Sequence, residues 1–129
     1  MTPAIMKTAL VVEDSTVMRE FILSTLSLVP NLQSLQAANA FEALKALPQQ
    51  EIDIILTDIN MPDINGLELL SFVKNHPEYR KIPVIIISTE KSEADRKRGL
   101  ELGADHYLSK PFQPGDLQNL IQKLLNLDD

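Results

Sequence analysis

The sequence predicts an α/β fold, a doubly wound parallel sheet of five strands with helices on both faces. Three observations predict it. Strand-like and helix-like runs alternate along all 129 residues, as successive βα units do. The runs Ile52 to Thr57 and Val84 to Ile87 are apolar and rich in isoleucine, which suits strands buried on both faces. Three strand-like runs also end in acids or hydroxyls: Thr8 to Val12 in Glu13-Asp14, Ile52 to Thr57 in Asp58, and Val84 to Ile87 in Ser88-Thr89.

The elements follow in order. After the first strand, a helix is expected over residues 15–28, with Met18, Phe21, Ile22, Leu26 and Val29 on one buried face. Pro30 and Asn31 stop it. Leu32 to Ala37 reads as a second strand; Gln33, Ser34 and Gln36 make it polar enough for a sheet edge. Ala40, Ala43, Leu44 and Leu47 form the stripe of the next helix, which Pro48 ends. Beyond Asp58 and its loop, Gly66, Leu69, Leu70 and Val73 mark a third helix, closed before Pro77. Residues 90–102 read as a helix that offers a core little besides Ala94 and Leu100, so it is expected to be the most exposed and mobile helix. Gly103 suits its left-handed C-terminal cap. Residues 105–109 form a short edge strand, and Leu117, Leu120, Ile121 and Leu124 the last helix, with Pro114 in its first turn. Residues 1–6 read as a flexible lead-in, and one domain is expected over 1–129, with nothing left for an output domain.

Composition excludes several functions. A net charge of −6 argues against nucleic-acid binding, which needs a basic stripe. With no cysteine there is neither disulfide, thiolate metal site nor thiol nucleophile, which fits a reducing cytoplasm. No apolar stretch approaches the about 20 residues that span a bilayer, and the N-terminus is too short and weakly charged for a secretory signal.

In a parallel sheet the carboxyl ends of the strands share one edge, where ligands bind. Glu13, Asp14 and Asp58 would converge there with the hydroxyls of Ser88 and Thr89. Carboxylates that close repel one another unless a cation lies between them, and the hard oxygen donors suit magnesium. Glu13, Asp14 and Ser15 also suit capping of the helix that follows, a role compatible with metal binding.

With Ser88, Tyr107 and Lys110-Pro111-Phe112 added, and with Met61-Pro62 and Gly66 following Asp58, the chain resembles the receiver domain of bacterial two-component response regulators. The stand-alone chemotaxis type is the nearest by size. The resemblance implies the strand order 2-1-3-4-5 of flavodoxin-like three-layer sandwiches, the order for which chemotaxis regulators are a standard example. It implies that Asp58 is the phosphoacceptor, fed by a phosphohistidine on a sensor histidine kinase. Asp14, Asp58 and the backbone carbonyl of Asn60 would ligate magnesium, with Glu13 holding a metal-bound water. Lys110 would reach a phosphoryl oxygen, and Ser88 would bond the phosphoryl group once attached. A one-residue slip would exchange Ser88 with Thr89. Asn60 and Glu90 occupy the positions where relatives tune loss of the phosphoryl group. Lys110-Pro111 is expected to be cis, and Tyr107 to fill space beside the fourth strand when Ser88 is drawn inward.

The expected function is a phosphorylation-controlled interaction module, a monomer with autocatalytic phosphotransfer and self-dephosphorylation rather than classical enzyme activity. Its protein target would read the surface of the 90–102 helix, the Tyr107 strand and the final helix. A phosphorelay shuttle, passing phosphate to a histidine phosphotransfer protein, is the alternative. A flavodoxin-like mononucleotide binder is disfavoured because Glu13 and Asp14 would repel a phosphate in the first loop. An aspartyl-nucleophile phosphatase is disfavoured because Asn60 stands where such enzymes place a general acid. His76 and His106 read as surface histidines, and Arg96-Lys97-Arg98 as a solvated helix face.

Overall fold

The fold is seen in a computed structural model that describes residues 6–88 and 93–127. Five βα units follow one another: β1 (Lys7–Val12), α1 (Thr16–Leu26), β2 (Leu32–Ala37), α2 (Ala40–Ala46), β3 (Ile54–Thr57), α3 (Gly66–Asn75), β4 (Val84–Ser88), α4 (Glu93–Glu101), β5 (His106–Ser109) and α5 (Pro114–Leu125). All strand pairs are parallel and the order is β2-β1-β3-β4-β5, as expected. Among the described residues, no helix is long and apolar enough to cross a membrane.

The pleat divides the core in two. Ala9 and Val11 of β1, Ile54 and Leu56 of β3, and Ile85 and Ile87 of β4 point to one face, where Ile22 and Leu26 of α1 and Leu117 and Ile121 of α5 cover them. Leu10, Val12, Ile55, Val84 and Ile86 point to the other, beneath Ala40 and Ala43 of α2 and Leu69, Leu70 and Val73 of α3. The three central strands therefore have no solvent face, and their aliphatic composition follows from that.

The structure corrects several expectations. α1 begins one residue after Ser15, whose hydroxyl accepts from the Met18 N–H at 3.3 Å, and it stops at Leu26. Leu28 is 75% exposed in the turn beyond, and Phe21 is 39% exposed, resting at the rim against Phe112 with ring centroids 5.6 Å apart. The run Ile52 to Thr57 overstated β3, which starts at Ile54. Asp53 instead accepts the Thr8 N–H at 2.8 Å through its side chain. The expected start of the fourth helix at Glu90 lies outside the described residues. Within α4 neither Ala94 nor Leu100 is buried; Gly99 is the buried residue of the helix. A Cβ there would stand 3.6–3.9 Å from Leu67, Tyr107 and Ile86, so the helix packs by its backbone. Gly103 does adopt a left-handed conformation, with φ of 109°.

Candidate functional site

The site forms where β1 and β3 end side by side. Val12 pairs with Thr57 in register, and the Asp58 N–H continues the ladder to the Val12 carbonyl at 3.2 Å. The residues just past these strands, Glu13, Asp14 and Asp58, are therefore held at one edge. One carboxylate oxygen from each lies within 4.8 Å of the others, a set able to hold a metal ion. Glu13 is buried, Asp58 partly buried and Asp14 exposed, so the cluster opens to solvent on the Asp14 side.

Lys110 enters from the far end of the chain. Its backbone N–H donates to the Ser88 carbonyl at 2.9 Å, extending the β4–β5 pairing in which Ser88 faces Ser109. The Lys110-Pro111 peptide is cis, as expected. The Lys110 ammonium donates to Glu13 Oε1 at 2.7 Å and to Asp58 Oδ2 at 3.3 Å. Two of the three carboxylates thus share one ammonium. Burial pushes the Glu13 carboxyl above its ordinary value; the hydrogen bond from Lys110, the Ser15 N–H and the lysine charge oppose that push, and the Asp58 charge adds to it.

The backbone is braced around these groups. Arg19 donates to the Glu13 carbonyl at 2.7 Å from α1, and the Ile59 N–H donates to Asp58 Oδ1 at 2.7 Å. Gly66 opens α3 so close to Asp58 that a Cβ there would overlap the Asp58 carbonyl oxygen; its own N–H donates to the Ile59 carbonyl at 2.8 Å. Asn65 caps the same helix, accepting from the Leu67 N–H at 2.6 Å.

The structure thus gathers Glu13, Asp14, Asp58 and Lys110 into one cluster and places Ser88, fully buried, at the adjoining end of β4. Asn60 is exposed in the loop after Asp58. Tyr107 is 6% exposed and packs in the core that includes Ile86 and Leu67, so its ring lies inward in this structure. Thr89 and Glu90 lie outside the described residues. His76 stacks on Tyr79 with centroids 4.3 Å apart, and His106 is exposed on β5, away from the acids in both cases. Sequence reasoning did not find the Arg19 brace or the direct Glu13–Lys110 pair, which joins residues 97 apart.

This fold and edge cluster define a phosphoacceptor class of signalling domain, and comparison with known proteins agrees. A sequence model of the response regulator receiver domain matches residues 9–122, and the chain belongs to that family. It is 36% identical over 121 residues to chemotaxis protein CheY1 of Helicobacter pylori, covering 93% of this chain and 98% of that protein. Chemotaxis protein CheY4 of Vibrio cholerae superposes with a TM-score of 0.85 at 32% identity, covering 93% of this chain and 99% of that one. The receiver domain of sensor histidine kinase PA1611 from Pseudomonas aeruginosa, solved with magnesium coordinated in its active-site cleft, gives 0.84 at 26% identity over 94% of this chain and 98% of that one.

Proposed function

We propose that this chain is a chemotaxis-like response regulator in which Asp58 accepts a phosphoryl group and the change is read on the α4–β5–α5 surface. The observation that carries this reading is the convergence of Glu13, Asp14 and Asp58 within 4.8 Å, with the Lys110 ammonium on Asp58. An Asp58 carboxylate oxygen would attack phosphorus as the donor's P–N bond breaks. The products are an aspartyl acyl phosphate and a free histidine on the kinase, and no further oxidant or co-reactant is needed.

The donor set fits magnesium: Asp14 and Asp58 carboxylates and the Asn60 carbonyl are hard oxygen ligands, and Glu13 would hold a metal-bound water. When bound, the ion supplies neutralising charge for the phosphoryl oxygens. The chain's own residues do the rest. Lys110 exchanges its contact with Asp58 for one with a phosphoryl oxygen, as a flexible point charge can. Ser88 then donates to the phosphoryl group. That movement is transmitted to Tyr107, whose ring lies against the part of α4 where Gly99 sits. A sensor histidine kinase is the donor partner, and the target is a protein that prefers the phosphorylated surface.

Acetyl phosphate with magnesium should add one phosphoryl group by intact mass, and Asp58→Asn or removal of the metal with a chelator should abolish the addition. Full labelling of Asp58→Asn would refute the assignment.

A further inference from the structure

The loop that links Asp58 to α3 carries Asn60, yet residues 60–65 form neither helix nor strand. Ile59 anchors one end of it in the core and the Asn65 cap anchors the other. Between them, Asp63 reaches across to a different element. Its Oδ1 accepts from the Ala40 N–H at 3.3 Å and its Oδ2 from the Phe41 N–H at 2.8 Å. Both amides belong to the first turn of α2, where backbone N–H groups lack intrahelical partners.

α2 already has a local cap. Asn39 Oδ1 accepts from the Glu42 N–H at 2.8 Å, and Glu42 Oε1 accepts from the Ala38 N–H at 2.9 Å. Asp63 takes the two amides that this local arrangement leaves over, so each carboxylate oxygen is used on a segment more than 20 residues away in sequence. Partial desolvation pushes the Asp63 carboxyl up, but the N–H groups of Ile64, Phe41, Ala40 and Asp63 itself outweigh it and hold the group below its ordinary value. It is therefore ionised at neutral pH, and a fixed anion at a helix N-terminus is favourable.

We propose that Asp63 is a positioning residue for metal binding: by clamping the 60–65 loop to the N-terminus of α2, it holds the Asn60 carbonyl where magnesium requires it. This rests on the reading of Asn60 and the three acids as a magnesium site. The clamp sets the affinity of that site without touching the ion. It also makes the coupling reciprocal, because metal binding must then tighten the first turn of α2.

The test compares Asp63→Ala and Asp63→Asn with Asn39→Ala, which removes the local cap of the same helix without touching the loop. Magnesium is titrated into each protein and followed by amide shifts. Protection of the Ala40 and Phe41 amides from exchange is measured in the metal-free proteins. Asp63→Ala should weaken magnesium binding about tenfold, the low end of what losing an outer-shell partner costs. Asp63→Asn, which keeps one acceptor oxygen, should fall between it and the wild type. Both should regain wild-type labelling by acetyl phosphate at saturating magnesium. Asn39→Ala should lower the melting temperature yet change affinity less than about twofold, since it leaves every group around the metal in place. Wild-type affinity in both Asp63 variants, or an equal loss in Asn39→Ala, overturns the positioning role alone. A wild-type protein that binds no magnesium overturns both this proposal and the site reading beneath it.

Discussion

A methyl group on Gly66 would occupy the space of the Asp58 carbonyl oxygen, so the residue that opens α3 also sets how closely that helix approaches Asp58, the proposed phosphoacceptor. Gly66→Ala must push the two backbones apart. It should cost about 1–3 kcal/mol of stability, as overpacking does, and slow labelling of Asp58. Chemical denaturation and labelling kinetics measured on the same variant check both effects. Lys110 governs a different balance. Glu13 is 2% exposed, and the lysine ammonium 2.7 Å away opposes the burial that pushes its carboxyl up. Lys110→Met strands a buried carboxylate, a loss of about 3–5 kcal/mol where a buried pair is broken. The Glu13 carboxyl is already raised in the folded state, and losing the lysine raises it further. A group raised on folding contributes stability that is present below its unfolded pKa, near 4, and is lost as pH rises through the folded value. The variant should therefore lie closest to wild type in mild acid and fall away from it towards neutrality. Parallel denaturation curves across that range, with a constant gap, would contradict the account.

At the scale of elements, α4 stands apart because it is held by a glycine. The other helices bury aliphatic side chains or alanine against the sheet, whereas α4 offers Gly99 to Leu67, Ile86 and Tyr107. A methyl group there would find ordinary van der Waals contacts and no clash. Gly99→Ala should therefore stabilise the protein by about 0.5–1 kcal/mol, the propensity difference between the two residues in a helix. Anchoring α4 should also reduce its response to phosphorylation. A phosphoryl mimic should shift amides across α4, β5 and α5 in the wild type, and the shifts in α4 should shrink in Gly99→Ala. Equal shifts in both proteins would mean that the weak anchoring has no part in signalling. The sequence allowed the weakness of this helix to be read, since residues 90–102 hold few apolar side chains. It did not allow the contact to be read, because a glycine carries no hydropathy signal and Ala94 and Leu100 do.

For the molecule as a whole, strand count and site location follow from a pattern that a chain can display locally, whereas the strand order was implied by the family resemblance. Aliphatic runs identify strands buried on both faces, and their terminal acids identify the edge at which Glu13, Asp14 and Asp58 meet. What the sequence left out are pairings between distant side chains and backbone: Lys110 with Glu13, Arg19 with the Glu13 carbonyl, and Asp63 with the first turn of α2. These depend on how loops from separate βα units are juxtaposed, and no periodicity encodes that. Phe21 shows the same limit from the apolar side: its spacing suits a core face, but it lies where α1 clears the sheet and meets Phe112. The central claim is that this whole arrangement serves one carboxylate. The most direct test is to label the protein with acetyl phosphate and magnesium, reduce the acyl phosphate with borohydride, and locate the resulting homoserine by peptide sequencing. The account predicts modification at position 58 and nowhere else. Homoserine at position 14 or 63, or 5-hydroxynorvaline at position 13, with Asp58 intact would contradict it.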